Sequence, residues 1–244
     1  MVSVGHSLDR LTRDNLERLL HGEFSGALSG SIAILDIDAV IMDVSPRNLR
    51  ILLEAAKAIP TIRPAVEHIR PDEISGNLNE ALERYMYLPD STRGQVSAFW
   101  WERFFSDAYV LWDQPYPGIR EVLQWLRAES VSLVYLTGRD APNMATGTIE
   151  SFRRHGLPVG EGTRFLFKPV FSQPDLTFKR DALNGIGSVR PVSVALVHES
   201  EIASMIRETF PGALVALVDP EPGSTLTDSM MPGIEIFSHR RSAT

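Results

Sequence analysis

The stretch that most constrains this chain is 31–43, Ser-Ile-Ala-Ile-Leu-Asp-Ile-Asp-Ala-Val-Ile-Met-Asp. An apolar run from Ile32 to Leu35 stops abruptly at Asp36, Ile37 and Asp38. So short and continuous a run reads as a strand buried on both faces of a parallel sheet, its carboxylates emerging at the carboxyl end. Open α/β sheets bind ligands at that edge. Two carboxylates two residues apart can divide the work there: one attacks or binds metal, and the other moves a proton. The spacing points to phosphoryl transfer. Alone, Asp-x-Asp is a weak motif that a solvated strand end would also carry. A calcium loop counted from Asp36 fails, because Val40, Ile41 and Arg47 stand where an oxygen ligand, Gly and Glu are required.

At 244 residues, 43% of them apolar, the chain suits one large domain or a core with a smaller insertion. Twenty-four Lys and Arg against 31 Asp and Glu give a formal charge of −7. With no long basic run to track a nucleic-acid backbone, no nucleic-acid partner is expected. The absence of cysteine excludes disulfides, thiolate metal sites and cysteine nucleophiles, and is compatible with the cytoplasm, the expected location. Neither export nor a membrane span is expected. Asp9, Arg10 and Arg13 fall where a signal peptide needs its apolar stretch, and no run of about 18 apolar residues occurs.

Ser7 is placed to cap a helix over 7–21, with Leu8, Leu11, Leu16, Leu19 and Leu20 on one face and Gly22 as its stop. After Asp43, Ser45 and Pro46 read as the N-cap and first position of a helix with Leu49, Leu52, Leu53 and Ala56 at helical spacing. Helices over 73–87 and 95–109 follow, so 45–112 reads as a helical insertion directly after the Asp-x-Asp turn. Such an insertion can act as a lid that excludes water. Its aromatics Phe99, Trp100, Trp101, Phe104 and Phe105 are expected to form its own core, and its single charges, Arg47, Arg50 and Arg103, to be solvated.

From Asp113 onward helices alternate with strands over 132–137, 164–170, 193–198 and 213–218, and 230–237 either finishes the sheet or packs on it. This predicts an α/β fold, a Rossmann-like open parallel sheet with helices on both faces, plus a small helical cap inserted after the first strand. The core domain is expected over 1–44 and 113–244, the cap over 45–112.

Other strand ends add chemistry. Thr137 and Gly138 offer a hydroxyl and turn amides to phosphate oxygens, although turn chemistry alone would also explain Thr-Gly-Arg-Asp. Lys179 opens a helix from which its charge can reach a phosphate near the strand ends, and Lys168 competes for that part. Glu199 follows an apolar strand and can complete a magnesium site with the Asp-x-Asp turn. His198 reads as a neutral strand-end residue, with no second histidine at ligand spacing.

The order of these signals resembles the haloacid dehalogenase-like superfamily, in its phosphatase branch. The resemblance rests on ILDIDAV at 34–40, YLTGRD at 135–140, FKRDAL at 178–183 and ALVHESE at 195–201, and spans Ser31 to about Val218. It implies Asp36 as nucleophile, forming an aspartyl-phosphate, and Asp38 as the acid that protonates the leaving group and then activates water. Thr137 would bind the transferring group, and Lys179, or Lys168, would offset its charge. Asp36, the Asp38 carbonyl and Glu199 would hold Mg²⁺. The activity implied is a magnesium-dependent phosphatase acting on a small phosphorylated metabolite. A non-catalytic or weakly active binding or regulatory protein and a phosphotransferase of the phosphomutase kind are the alternatives. Two departures stand out: Ala39 replaces the usual Gly after the second aspartate, and His198-Glu199 replaces Gly-Asp.

Overall fold

The computed structural model describes residues 9–23, 27–70, 73–74, 77–186, 190–219 and 234–239. Its elements in chain order are β1 (Asp9–Arg10), α1 (Arg13–Glu23), β2 (Ile32–Leu35), β3 (Met42–Asp43), α2 (Ser45–Ala58), α3 (Arg63–Val66), α4 (Leu78–Glu83), α5 (Asp90–Phe104), α6 (Asp107–Val110) and β4 (Gln114–Pro115). There follow α7 (Ile119–Ala128), β5 (Ser132–Asp140), α8 (Ala141–Arg154), β6 (Thr163–Lys168), α9 (Asp175–Ile186), β7 (Val192–Val197), α10 (Ser200–Thr209), β8 (Leu214–Val218) and β9 (Ile234–Ser238).

Seven strands form one parallel sheet in the order β1-β9-β8-β7-β2-β5-β6. Each central strand is buried on both sides, and alternate residues feed two cores. Ala33, Leu35, Val194 and Leu196 face Leu16, Leu20, Val122 and Phe152 of α1, α7 and α8. Ile34, Ala195 and Val197 face Leu183, Ile202 and Ile206 of α9 and α10. This two-sided burial is what continuous apolar runs require. From β2 the chain builds outward through β5 and β6, then returns to β7 on the other side of β2. The strand order therefore reverses at β2, and its carboxyl end is the expected ligand crevice.

The N-terminal expectation needs correcting. Ser7 lies outside the described residues, Asp9–Arg10 form an edge strand, and the helix begins at Arg13. Thr12 Oγ1 accepts from the Asn15 amide at 3.3 Å and so supplies the cap. The helix also passes Gly22 to end at Glu23.

Helices α2–α6 lie between β3 and β4, which pair antiparallel as a two-stranded ribbon that the sequence reading did not anticipate. They carry a core of their own around Ile51, Leu52, Ala55, Ile62, Leu82 and Val96. The helix expected over 73–87 is shorter, Leu78–Glu83, with Asn77 Oδ1 capping the Asn79 amide at 2.9 Å. The one expected over 95–109 is two: α5 begins at Asp90 and stops at Phe104, and α6 restarts at Asp107. On α2 the buried face is Arg47, Asn48, Ile51, Leu52, Ala55 and Ala56, while Leu53 is exposed. Ser45 is not a side-chain cap; its amide donates to Asp43 Oδ1 at 2.8 Å. At the far end α6 packs directly on α8. The Gly147 amide donates to Asp107 Oδ1 at 2.6 Å, and a Cβ at Gly147 would stand 2.3 Å from the Asp107 carbonyl oxygen. Only glycine permits that approach.

Candidate active site

The turn after β2 is closed by the Ile41 and Met42 amides donating to the Ile37 carbonyl at 2.9 and 2.8 Å, and by the Ala39 amide donating to the Met42 carbonyl at 3.1 Å. Ala39 takes φ +61°, a left-handed conformation that glycine adopts freely and alanine does not. The turn leaves Asp36 buried at the strand end and sends Asp38 outward. Lys179 Nζ donates to Asp36 Oδ2 at 2.8 Å and to Glu199 Oε1 at 2.9 Å, bridging the two carboxylates. Burial pushes the Asp36 pKa up by more than the Lys179 charge pulls it down, and Glu199 and Asp38 add to the rise. For Lys179 the balance is reversed: burial opposes its charge, but Asp36 and Glu199 together hold its pKa above the ordinary value. The directions agree once the stoichiometry is considered, since one ammonium is shared by two carboxylates.

Asp38 meets different cations. Arg139 Nη2 donates to its Oδ1 at 2.5 Å and Nε to its Oδ2 at 3.2 Å. The same Nη2 donates to Asp113 Oδ2 at 2.6 Å, and Nη1 to Thr148 Oγ1 at 2.9 Å. Asp113 in turn receives a two-pronged pair from Arg47, Nε at 2.8 Å and Nη2 at 2.5 Å, and Arg47 Nη1 reaches the Phe104 carbonyl at 3.0 Å. Arg47 and Asp113 are fully buried and Arg139 nearly so. Forked guanidinium pairing of this kind fixes orientation as well as charge. Burial favours protonation of Asp38, yet Arg139, with Arg47 and Lys179 behind it, holds the carboxyl below its ordinary pKa.

Asp36, Asp38, Gly138, Arg139, Met144, Asp175, Lys179, His198 and Glu199 line one cleft of about 130 Å³, roofed by Phe104 and Phe105. Five of the residues singled out in the sequence therefore come together: Asp36, Asp38, Gly138, Lys179 and Glu199. Gly138 is tightly placed, because a Cβ there would overlap the Asp175 carboxylate. Two others do not join them. Thr137 is fully buried, its Oγ1 accepts from the Arg139 amide at 3.2 Å, and it is not part of the cleft wall. Lys168 donates to Asp175 Oδ1 at 2.5 Å and to the Phe171 carbonyl at 3.3 Å, away from Asp36. Of the two candidate lysines, Lys179 is the one in contact with Asp36.

No protein-family model and no curated protein matches the sequence. Solved structures do match its shape. A Clostridium difficile protein ascribed a phosphatase role superposes with a TM-score of 0.57 at 11% identity, over 86% of this chain and 94% of that one. A haloacid dehalogenase-like family hydrolase from Streptococcus pneumoniae gives 0.50 at 11% identity, with the same coverage. The chain has a haloacid dehalogenase-like fold.

In this haloacid dehalogenase-like fold the donor set around Asp36 suits a divalent cation. Two carboxylates share the single positive charge of Lys179, which leaves the pocket with excess negative charge. Among the described residues none of the turn's backbone hydrogen bonds ends on the Asp38 carbonyl. Among the described residues no cluster of three or more His, Cys, Asp or Glu stands at metal spacing. Asp36, Glu199 and the Asp38 carbonyl are the groups that could hold a hard cation, with water completing its shell. His198, which lines the cleft, has its Nδ1 3.2 Å from the Asp219 carbonyl, which anchors its ring.

Among the residues around the site that were not selected from the sequence are Arg139, Asp113 and Arg47. Arg47 was expected in solvent and is fully buried. The signal was present, since Arg47 stands four residues before Ile51 and eight before Ala55, on the buried stripe of α2. A stripe through Leu49, Leu52, Leu53 and Ala56 is about one residue out of phase with the buried face.

Proposed function

We propose that the protein is a magnesium-dependent phosphatase that hydrolyses a small phosphorylated metabolite through a covalent aspartyl-phosphate. The observation that carries this reading is the unequal treatment of two carboxylates in one turn, Asp36 held by Lys179 and Asp38 held by Arg139. An Asp36 oxygen attacks phosphorus, and the bond from phosphorus to the leaving oxygen breaks in line. Lys179 offsets charge on the transferring group, and the Gly138 turn lines the space for its oxygens. Water then attacks the aspartyl-phosphate, giving its proton to Asp38 and releasing phosphate. Bound by Asp36, Glu199 and the Asp38 carbonyl, Mg²⁺ would supply charge stabilisation for the phosphoryl oxygens.

Arg139 keeps Asp38 an anion, which suits the second step. Acting as acid in the first step requires Asp38 to leave that pair, for which Arg139 has Asp113 as a second partner. Esters whose leaving groups need no proton are therefore expected to turn over fastest. Helices α2–α6 serve as the cap, joined to the site through Arg47, Phe104 and Phe105. One observation favours the alternative of a binding protein with little turnover: Lys179 already engages both carboxylates that would hold the metal.

The deciding assay is hydrolysis of an aryl phosphate by wild type and Asp36→Asn, each with Mg²⁺ and with chelator. Asp36→Asn is expected to lose at least about 10³-fold in kcat/KM, because an amide is not a nucleophile. Substantial activity in the variant, or activity indifferent to chelator, rejects this assignment.

A further inference from the structure

A larger cavity, about 580 Å³, adjoins the cleft between α5 and the first turns of α2 and α4, and Phe104 forms part of both walls. Its volume lies in the range of small-molecule sites, roughly 300–1,000 Å³. The described wall carries no charged side chain; it sets carboxamides and a hydroxyl against the rings of Trp100, Trp101 and Phe104. Trp101 is 55% exposed, an unusual position for an indole that has no ligand to cover it.

The amides are only half used. Asn48 Oδ1 accepts from Trp100 Nε1 at 2.8 Å. An indole N–H can only donate, so the amide orientation is fixed and Asn48 Nδ2 is left with no partner among the described residues. Asn79 Nδ2 donates to Ser97 Oγ at 2.8 Å, while its Oδ1 has no partner although the residue is only 6% exposed. The wall therefore holds one spare donor and, buried just behind its surface, one carboxamide end of Asn79 without a partner among the described residues. An alkyl chain would leave both unpaired. A sugar would bring several hydroxyls to a wall that is mostly ring carbon. A flat, uncharged heteroaromatic ring with its own donor and acceptor fits both features, by stacking and by edge pairing.

We propose that this cavity binds the base of a nucleoside, and that the ester cleaved in the neighbouring cleft is accordingly a nucleoside monophosphate. The second half rests on the phosphatase reading; the first does not, because binding needs no turnover. Calorimetric titration of wild type and of Asp36→Asn with adenosine and uridine tests the first half, with glucose and ribose as controls. Saturable nucleoside binding is expected in both proteins, accompanied by a change in tryptophan fluorescence, and none with the sugars. Trp101→Ala, at an exposed position, is expected to weaken nucleoside binding about tenfold through lost stacking. Asn79→Leu should weaken it as well. In wild type with Mg²⁺, adenosine monophosphate should exceed ribose 5-phosphate in kcat/KM by at least about tenfold. Sugars binding as well as nucleosides, or no nucleoside binding in a protein that hydrolyses aryl phosphates, overturns the inference and leaves the phosphatase reading standing. Nucleoside binding in a protein that hydrolyses no phosphate ester upholds the cavity's ligand and removes the phosphatase reading.

Discussion

Asp36 and Asp38 belong to one turn, yet their surroundings differ in kind. Around Asp36 a single lysine faces two carboxylates, so the region carries unbalanced negative charge and can accept a cation. Around Asp38 two arginines face two carboxylates in a chain that runs from the start of α2 through Asp113 to the end of β5, with charge balanced. Asp36 is placed to exchange its lysine for a reacting group, and Asp38 can leave Arg139 only because Asp113 keeps the arginines paired. The contrast also separates what each side should contribute: nucleophile and metal ligands from the first, and from the second a proton carrier together with a buried Arg47–Asp113–Arg139 chain that ties the inserted helices to the sheet.

The largest effect expected from breaking this contrast is on folding. Asp113→Ala leaves Arg47 and Arg139 buried with their shared partner gone, and should cost about 3–5 kcal/mol, read as a lowered urea midpoint. Glu199→Gln, at a partly exposed carboxylate on the other side, should leave stability within roughly 0.5 kcal/mol while weakening the metal requirement. Equal losses in the two variants would erase the distinction. Asp38→Asn is the next test. Its rate loss should reach about 10²-fold or more on alkyl phosphates, where a proton must reach the leaving oxygen, and be much smaller on activated aryl esters. An equal loss on both classes would mean that Asp38 matters only as a partner of Arg139.

How legible each region was in the sequence follows the same division. The Asp36 side is made of strand ends, and strands buried on both faces announce themselves as apolar runs: 193–198 and 213–218 were expected where Val192–Val197 and Leu214–Val218 occur. Glu199 follows from its place just after such a strand, whereas Lys179 is read from the start of a helix, with Lys168 as its competitor. The Asp38 side depends on partners 66 and 26 residues apart in sequence, Arg47 and Arg139 with Asp113. Nothing local marks an ion pair formed across that distance. Arg47 was missed because a charge on an apolar helix face is ordinarily discounted, and the burial of Thr137 was not legible because a hydroxyl at a strand end reads the same whether it faces the cleft or the core.

The opposite shifts of the two aspartates give an acid-stability test. The Asp36 pKa is raised in the fold, so its contribution favours folding below the ordinary value of about 3.9 and is lost as pH rises through the raised pKa. The Asp38 pKa is lowered, so its contribution is present above about 3.9 and is lost as pH falls through the lowered one. Relative to wild type, over about pH 2 to pH 7, Asp36→Asn should therefore gain stability as pH rises from about 4 through the raised pKa, whereas Asp38→Asn should lose it as pH rises from the lowered pKa to about 4. Urea unfolding of both variants across that range checks the signs, and parallel trends would show that the two carboxylates share one environment after all.

The smallest effect belongs to the turn that separates them. Ala39 holds φ +61°, which costs an L-residue about 1 kcal/mol, while glycine relieves that strain but gains entropy in the unfolded chain worth roughly 0.4–1 kcal/mol. Ala39→Gly should thus change stability by less than about 1 kcal/mol, in the stabilising direction if at all. Its kinetic consequence is more telling. The Ala39 conformation aims the preceding residue, Asp38, at Arg139, and a glycine widens the range of directions open to that side chain. If Asp38 must leave Arg139 to protonate a leaving group, Ala39→Gly should raise turnover of alkyl phosphates relative to aryl phosphates. An unchanged ratio, with Asp38→Asn still selective between the two classes, would place the proton transfer within the arginine-bound state.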